Sequence, residues 1–185
     1  MNRKEHATLL RAVRKIHRTA GIALFLLFLI IAGTGILLGW KKNSNEYLMP
    51  RTYKGSSTEL TEWLPVSVLT PKAIQALQES VDPDISTTLD RIDARPGKGI
   101  VKYIFADHYW EVQLDAATGN VLHVGLRRSD FLERLHDGTL ADNALRTSDG
   151  IIKLIYTTVM GLALITFSLT GFWLWYGPKV MRKLH

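Results

Sequence analysis

The sequence predicts a membrane protein of mixed class: membrane α-helical plus α+β, with two transmembrane helices flanking a small extracytoplasmic helix-on-antiparallel-sheet domain. Three observations carry this prediction. Two long runs, Thr19 to Trp40 and Leu154 to Pro178, contain no charged side chain. Basic residues crowd beyond those runs, at both ends of the chain. Between the runs, one segment of helical periodicity precedes several of alternating polarity, separated by turn residues.

Each run is long enough to span a bilayer. The first has 22 residues and the second 25; at about 1.5 Å per residue, either helix covers a hydrocarbon core of roughly 30 Å. A core helix of a soluble domain would instead carry a charged face. The first run exceeds a secretory signal core of about 7–15 residues, and no convincing cleavage site follows it. It ends in Gly39-Trp40-Lys41-Lys42, an aromatic anchor with a basic flank, so an uncleaved anchor is expected.

Orientation follows from the charges. The stretches before residue 19 and after residue 178 hold nine basic residues and one acidic one, whereas residues 41–150 hold 13 basic and 16 acidic. Basic loops stay inside. Both termini are therefore expected in the cytoplasm, with the central domain periplasmic or extracellular and the chain in a cell inner membrane. The bilayer explains the net charge of +6 without nucleic acid. With no cysteine, disulfides, Cys-ligated metals and thiol catalysis are excluded.

The expected organisation is a basic tail (1–18), a transmembrane helix (19–40), a linker with little regular structure (41–64), a folded domain (65–128), an amphipathic helix and linker (129–150), a second transmembrane helix (151–177) and a basic tail (178–185). Thr70-Pro71 reads as a helix start, since a proline suits the first turn. Ala73, Ile74 and Leu77 give that helix an apolar face. Strands are expected around Leu89–Ala94, Ile100–Phe105, Tyr109–Leu114 and Val121–Gly125. In the third, Trp110, Val112 and Leu114 share the face toward the helix. Ser129 reads as the cap of a short helix that ends near His136.

Helix order and the stretch Trp110 to Val121, W-E-V-x-x-D-A-x-T-G-x-V, resemble the PepSY domain. The flanking spans are similar to the PepSY-associated transmembrane family. The likeness extends to Arg14-x-x-His17-Arg18-x-x-Gly21, Leu135-His136-Asp137-Gly138 and Thr170-Gly171-x-Trp173-x-Trp175. Larger relatives have four or more helices, and some resemble haem-containing reductases of siderophore-bound iron. The resemblance thus implies His17 and His136 as haem b ligands. From the residues alone, His17 also reads as an interfacial anchor and His136 as a helix terminus suited to the dipole.

The two histidines cannot share one iron, because a span of about 30 Å separates them. A homodimer would bring two copies of each to one face, and Gly35-x-x-x-Gly39 would permit close helix approach. His108 and His123 read as packed or surface residues, and His6 and His185 as tail residues. Acidic pairs such as Asp82/Asp84 and Asp90/Asp93 read as solvated loop charges. No nucleophile triad, zinc motif or phosphate loop is present in the sequence, so any catalytic residue is left unassigned and no metal site is expected.

Two functions remain open at this point. One is a binding or assembly role for the extracytoplasmic domain, with a peptide, a protease or a neighbouring membrane protein as partner. The other is transmembrane electron transfer through haem b, linked by the resemblance to ferric-siderophore reduction and iron uptake. Whether the chain is an enzyme is left open.

Overall fold

The computed structural model describes residues 3–145, 147 and 150–182. The chain divides into two compact units: the first 36 residues together with those from Arg134 onward, and residues 37–133.

The first unit is dominated by α1 (Arg3–Gly39) and α5 (Ile151–Arg182). Among the described residues these are the two helices long and apolar enough to cross a membrane. Only 6% of each most apolar window is buried within the protein. A soluble core helix would bury most of it, so lipid is the medium that covers these faces. The basic segment before residue 19 belongs to α1, and α5 continues through Pro178 into the basic tail. Lys183 and His185 of that tail lie outside the described residues.

The helices run antiparallel and touch along one seam. Phe167 packs edge-on against both His17 and Phe28. At the far end, Leu10 packs directly over Gly177, where a Cβ would lie 2.7 Å from Leu10 Cδ2 and push that side chain aside. A short helix α4 (Thr139–Leu145), which the sequence pattern did not indicate, precedes α5. Its Asp142 carboxylate accepts the backbone N–H groups of Ile152 and Lys153 at 3.0 and 2.8 Å. That caps the start of α5, where backbone donors would otherwise lack partners.

The second unit holds a four-stranded antiparallel sheet in the order β1 (Leu89–Arg95), β2 (Ile100–Phe105), β3 (Trp110–Asp115), β4 (Val121–Leu126). Helix α2 (Val66–Ser80) packs on one face. Leu69, Ala73, Ala76 and Leu77 meet Val101, Tyr103, Phe105, Val112 and Leu114 there, with Trp110 half-buried at the margin. The register places Trp110, Val112 and Leu114 on the helix side.

Two local expectations are corrected. Helix α2 begins a turn before Thr70, whose hydroxyl donates to the Val66 carbonyl at 2.8 Å instead of capping. Burial of Leu69 repays the extra turn, and Pro71 sits inside the helix. Ser129 lies inside α3 (Arg128–His136); it is buried, and its N–H bonds to the Leu48 carbonyl. The linker, which has little regular structure, is packed down as a strap. Tyr53 N–H donates to Gln113 Oε1 at 3.1 Å, Gln113 Nε2 to the Arg51 carbonyl at 2.7 Å, and Ser56 N–H to Asp115 Oδ2 at 2.8 Å. This strap lies against the sheet face opposite α2, which is why β2 is buried along its whole length.

Candidate functional site

The two histidines singled out by the resemblance occupy matching settings in the helical unit. His17 Nδ1 lies 2.7 Å from Thr170 Oγ1. That hydroxyl donates to the Thr166 carbonyl at 2.6 Å. His136 Nδ1 lies 2.8 Å from Thr34 Oγ1, which donates to the Ile30 carbonyl at 2.6 Å.

One hydrogen-bonding arrangement is common to both imidazoles. A threonine hydroxyl has one proton, and the helix carbonyl four residues back lies within reach of it. With the proton on that carbonyl the oxygen only accepts, and each histidine donates from Nδ1. In the neutral ring Nε2 therefore carries the lone pair. This second-neighbour orientation is what a metal-ligating histidine requires.

Each ring is also held sterically. His17 packs edge-on against Phe167, with ring centroids 4.8 Å apart, and lies over Gly171. His136 ends α3, and Gly138, at φ +82°, turns the chain away two residues later. The Cβ direction of Gly35 points at His136 Cε1, 3.5 Å away. Within the chain, the Gly35 side of the Gly35-x-x-x-Gly39 pair faces this histidine, while Gly39 meets no atom within 4 Å. Thr34 stands 17 residues along α1 from His17, roughly 25 Å of helix axis.

An apolar cleft of about 370 Å³ opens beside His136, lined among others by Phe28, Ile31, Tyr156, Met160 and Leu164. Asp137 at its rim pairs with Lys153. Burial works to raise its carboxyl, but the Lys153 and Thr139 hydrogen bonds hold it below the usual carboxylate range. On α5, the Trp173 indole Nε1 is buried and has no hydrogen-bond partner among the described residues. Trp173 follows Thr170 by one turn of α5.

In the sheet unit the other histidines are engaged. His108 Nε2 donates to the Ser86 carbonyl at 2.8 Å, and its Nδ1 accepts from Trp110 N–H at 3.3 Å. His123 stacks on Tyr53. The acidic pairs lie in surface contacts: Asp82 Oδ1 accepts from Asp84 N–H, and Asp93 pairs with Arg95.

Sequence reasoning missed a buried ionic network on the strap side of the sheet. Glu111, wholly buried, binds Lys102 Nζ at 3.3 Å and Arg127 at 2.6 Å. Arg127 also binds Asp130 at 2.9 Å, and Arg91 reaches Asp130 at 3.1 Å. Burial pushes the Lys102 ammonium down. For Asp130, burial opposes ionisation, but hydrogen bonds from Arg127 and Arg91 win and hold it low. Alternation along W-E-V-Q-L placed Glu111 opposite the core; nothing in it showed that the strap closes that face.

The sheet unit also contains an apolar cleft of about 490 Å³, lined by residues including Leu37, Tyr47, Tyr109, Arg128 and Phe131. Tyr109 holds φ +61°, an uncommon conformation for a bulky residue.

Fold and helices define an integral membrane protein whose two spans flank a small sheet domain. The family model for the PepSY-associated TM region matches residues 14–184, and the chain belongs to that family. Neither the curated proteins nor the solved structures contain a match.

Proposed function

We propose that this PepSY-associated membrane protein is a b-type haem electron carrier, with His17 and His136 as axial ligands at two separate levels of the membrane. The observation that carries the reading is the pair of threonines whose hydroxyls meet each imidazole at Nδ1 and leave Nε2 to face away from that contact. The residues fit the group in two further respects. Each site offers a single imidazole, which suits a macrocycle that brings four ligands of its own. The His136 site opens on an apolar cleft. Bound haem supplies one-electron chemistry.

The chain's part is to hold, orient and shield. Thr170 and Thr34 fix ring orientation; Phe167 and the cleft side chains exclude water. One chain gives one histidine per level, so a homodimer would supply a second histidine to hold the group at each level. Two levels are needed because one cofactor cannot carry an electron across about 30 Å of hydrocarbon. The basic ends lie in the cytoplasm in this reading, and electrons leave toward an acceptor on the sheet-domain side, with ferric chelates as the class the family resemblance suggests.

The test is the absorption spectrum of detergent-purified protein from cells supplied with haem. A Soret band that shifts on reduction is expected; colourless protein contradicts the proposal.

A second reading rests on the cleft in the sheet domain. Its aromatic and apolar lining with Arg128 at the edge suits an apolar, anionic partner segment, and supports a binding or assembly role. The two readings are compatible, since they use different units.

A further inference from the structure

One wall of the cleft in the sheet unit belongs to a membrane span. Leu37, third from the end of α1 and inside its uncharged run, lines the cleft together with Tyr47, Tyr109, Leu126 and Phe131. A spanning helix passes from hydrocarbon to headgroups at such a position, and Trp40, Lys41 and Lys42 mark the boundary in the sequence. The cleft therefore opens at headgroup level on the sheet-domain side. Leu37, Tyr47 and Phe131 are exposed, so the chain itself leaves their apolar surface uncovered.

Arg128 brings a charge to this lining. Its guanidinium lies over the Tyr47 ring, 4.6 Å from the centroid, and Nη1 donates to the Tyr47 carbonyl at 2.9 Å. A guanidinium has five N–H donors, so most of them stay available. Arg128 is exposed and forms no ion pair among the described residues. Held along one edge, it presents a planar fork of the kind that matches two oxygens of a phosphate.

The apolar lining says what that phosphate is attached to. A polypeptide laid along the cleft would bring backbone N–H and C=O groups, which leucine and phenylalanine side chains cannot satisfy. An acyl chain brings none. The cleft, at about 490 Å³, has the size of a small-ligand site. Tyr109, strained at φ +61°, sets its ring edge-on to Phe131 with centroids 6.3 Å apart, so the strain is held at the cleft wall.

We propose that the cleft is a phospholipid site: one acyl chain of a lipid in the leaflet on the sheet-domain side lies against Leu37, Leu126 and Phe131, and Arg128 binds its phosphate. The inference rests on the binding reading of this cleft and gives the occupant its chemistry. It is independent of haem.

The experiment uses full-length protein, delipidated in mild detergent, as wild type, Arg128→Gln and Phe131→Gln. Both residues are exposed, so neither change opens a cavity in the core. Native mass spectra follow a titration with dioleoylphosphatidylglycerol and one with dioleoylglycerol, which has the same chains and no phosphate. Wild type should take up one phospholipid per chain, saturably. A hydrogen bond to a charged acceptor is worth about ten- to a hundredfold in affinity. Arg128→Gln should weaken the phospholipid by that factor and leave the diacylglycerol unchanged; Phe131→Gln should weaken both. Uptake that never saturates, or that ignores Arg128→Gln, overturns the proposal and leaves annular lipid only. An equal loss of both lipids in Arg128→Gln also overturns it, since the arginine would then only shape the cleft. Indifference of both lipids to Phe131→Gln places the lipid elsewhere on the chain and overturns it as well. Photo-crosslinking in native membranes from Phe131→benzoylphenylalanine separates this inference from the reading beneath it. A lipid-sized adduct that is lost with Arg128→Gln agrees with the proposal. A protein-sized adduct overturns it and keeps the binding reading, and no adduct of either size ends both.

Discussion

Thr34 and His136 are 102 residues apart in sequence, yet their side chains meet at 2.8 Å, with the threonine hydroxyl also 2.6 Å from the Ile30 carbonyl. Thr170 and His17 repeat the arrangement at 2.7 Å, from the opposite helix. Two histidines from different elements thus meet a threonine hydroxyl through the same ring nitrogen. A histidine serving only as an anchor would gain nothing from having its Nδ1 fixed.

The threonines should therefore matter in proportion to the cofactor. Thr34→Val and Thr170→Val preserve shape and remove the acceptor. Loss of such an orienting partner typically lowers metal affinity by about 10–100-fold. Haem titration of each variant checks this; unchanged affinity would mean the hydroxyls only bond their own helices.

Gly161 faces open space, with no atom within 4 Å of the position a Cβ would take, and it lines the cleft beside His136. Gly161→Leu should leave folding intact, as leucine is the better helix former by several tenths of a kcal/mol. It should nonetheless fill the cleft and remove haem from the His136 level. Folded protein with full haem content would place the cofactor elsewhere.

Much of this was legible in the sequence, and the reasons differ by element. Both spans were plain because charge is excluded from lipid over more than twenty residues. The sheet followed from alternation, and Val112 and Leu114 face α2 as their spacing implies. His17 and His136 came only from family motifs; no local pattern reveals that Thr170 and Thr34 complete them, since those contacts depend on how two distant helices pair. The strap was illegible for a related reason. Residues 48–57 lack periodicity, and their order comes from bonds to Gln113 and Asp115 some sixty residues later.

The buried network should hold the sheet domain together. Arg127→Met leaves part of Glu111 and Asp130 uncompensated, and breaking a buried pair costs about 3–5 kcal/mol. Arg95→Met, which breaks an exposed pair with Asp93, should cost less than about 1 kcal/mol. Denaturant midpoints of the full-length protein would separate the two; similar effects would show the network to be energetically idle.

Truncating the core should be equally severe. Phe105 is buried beneath α2, and Phe105→Ala costs about 3–5 kcal/mol. Trp110→Ala should cost less, because Trp110 is only half-buried at the margin. Hydrogen exchange of the β2 and β3 amides is the measurement, with the larger loss of protection expected for Phe105→Ala.

Acid should loosen the same domain. Asp130 and Asp115 both hold carboxyl pKa values below the ordinary range, burial being outweighed by their hydrogen bonds. Groups depressed in the folded state contribute stability that is fully present above about pH 5 and lost as the pH falls below about 4. Protection of β2 and β3 should decline over that window. Asp130→Asn should show a shallower decline from a lower starting point; an identical acid profile would remove Asp130 from the account.

The most direct measurement is the number of haems per chain in the wild type, His17→Ala, His136→Ala and the double variant, taken as the pyridine haemochrome. Two shared levels in a dimer predict one haem per chain. Each single substitution should then lower this to about a half, and the double to none. Full haem content in the double variant, or the complete loss of haem from a folded single variant, would contradict two independent histidine-ligated levels.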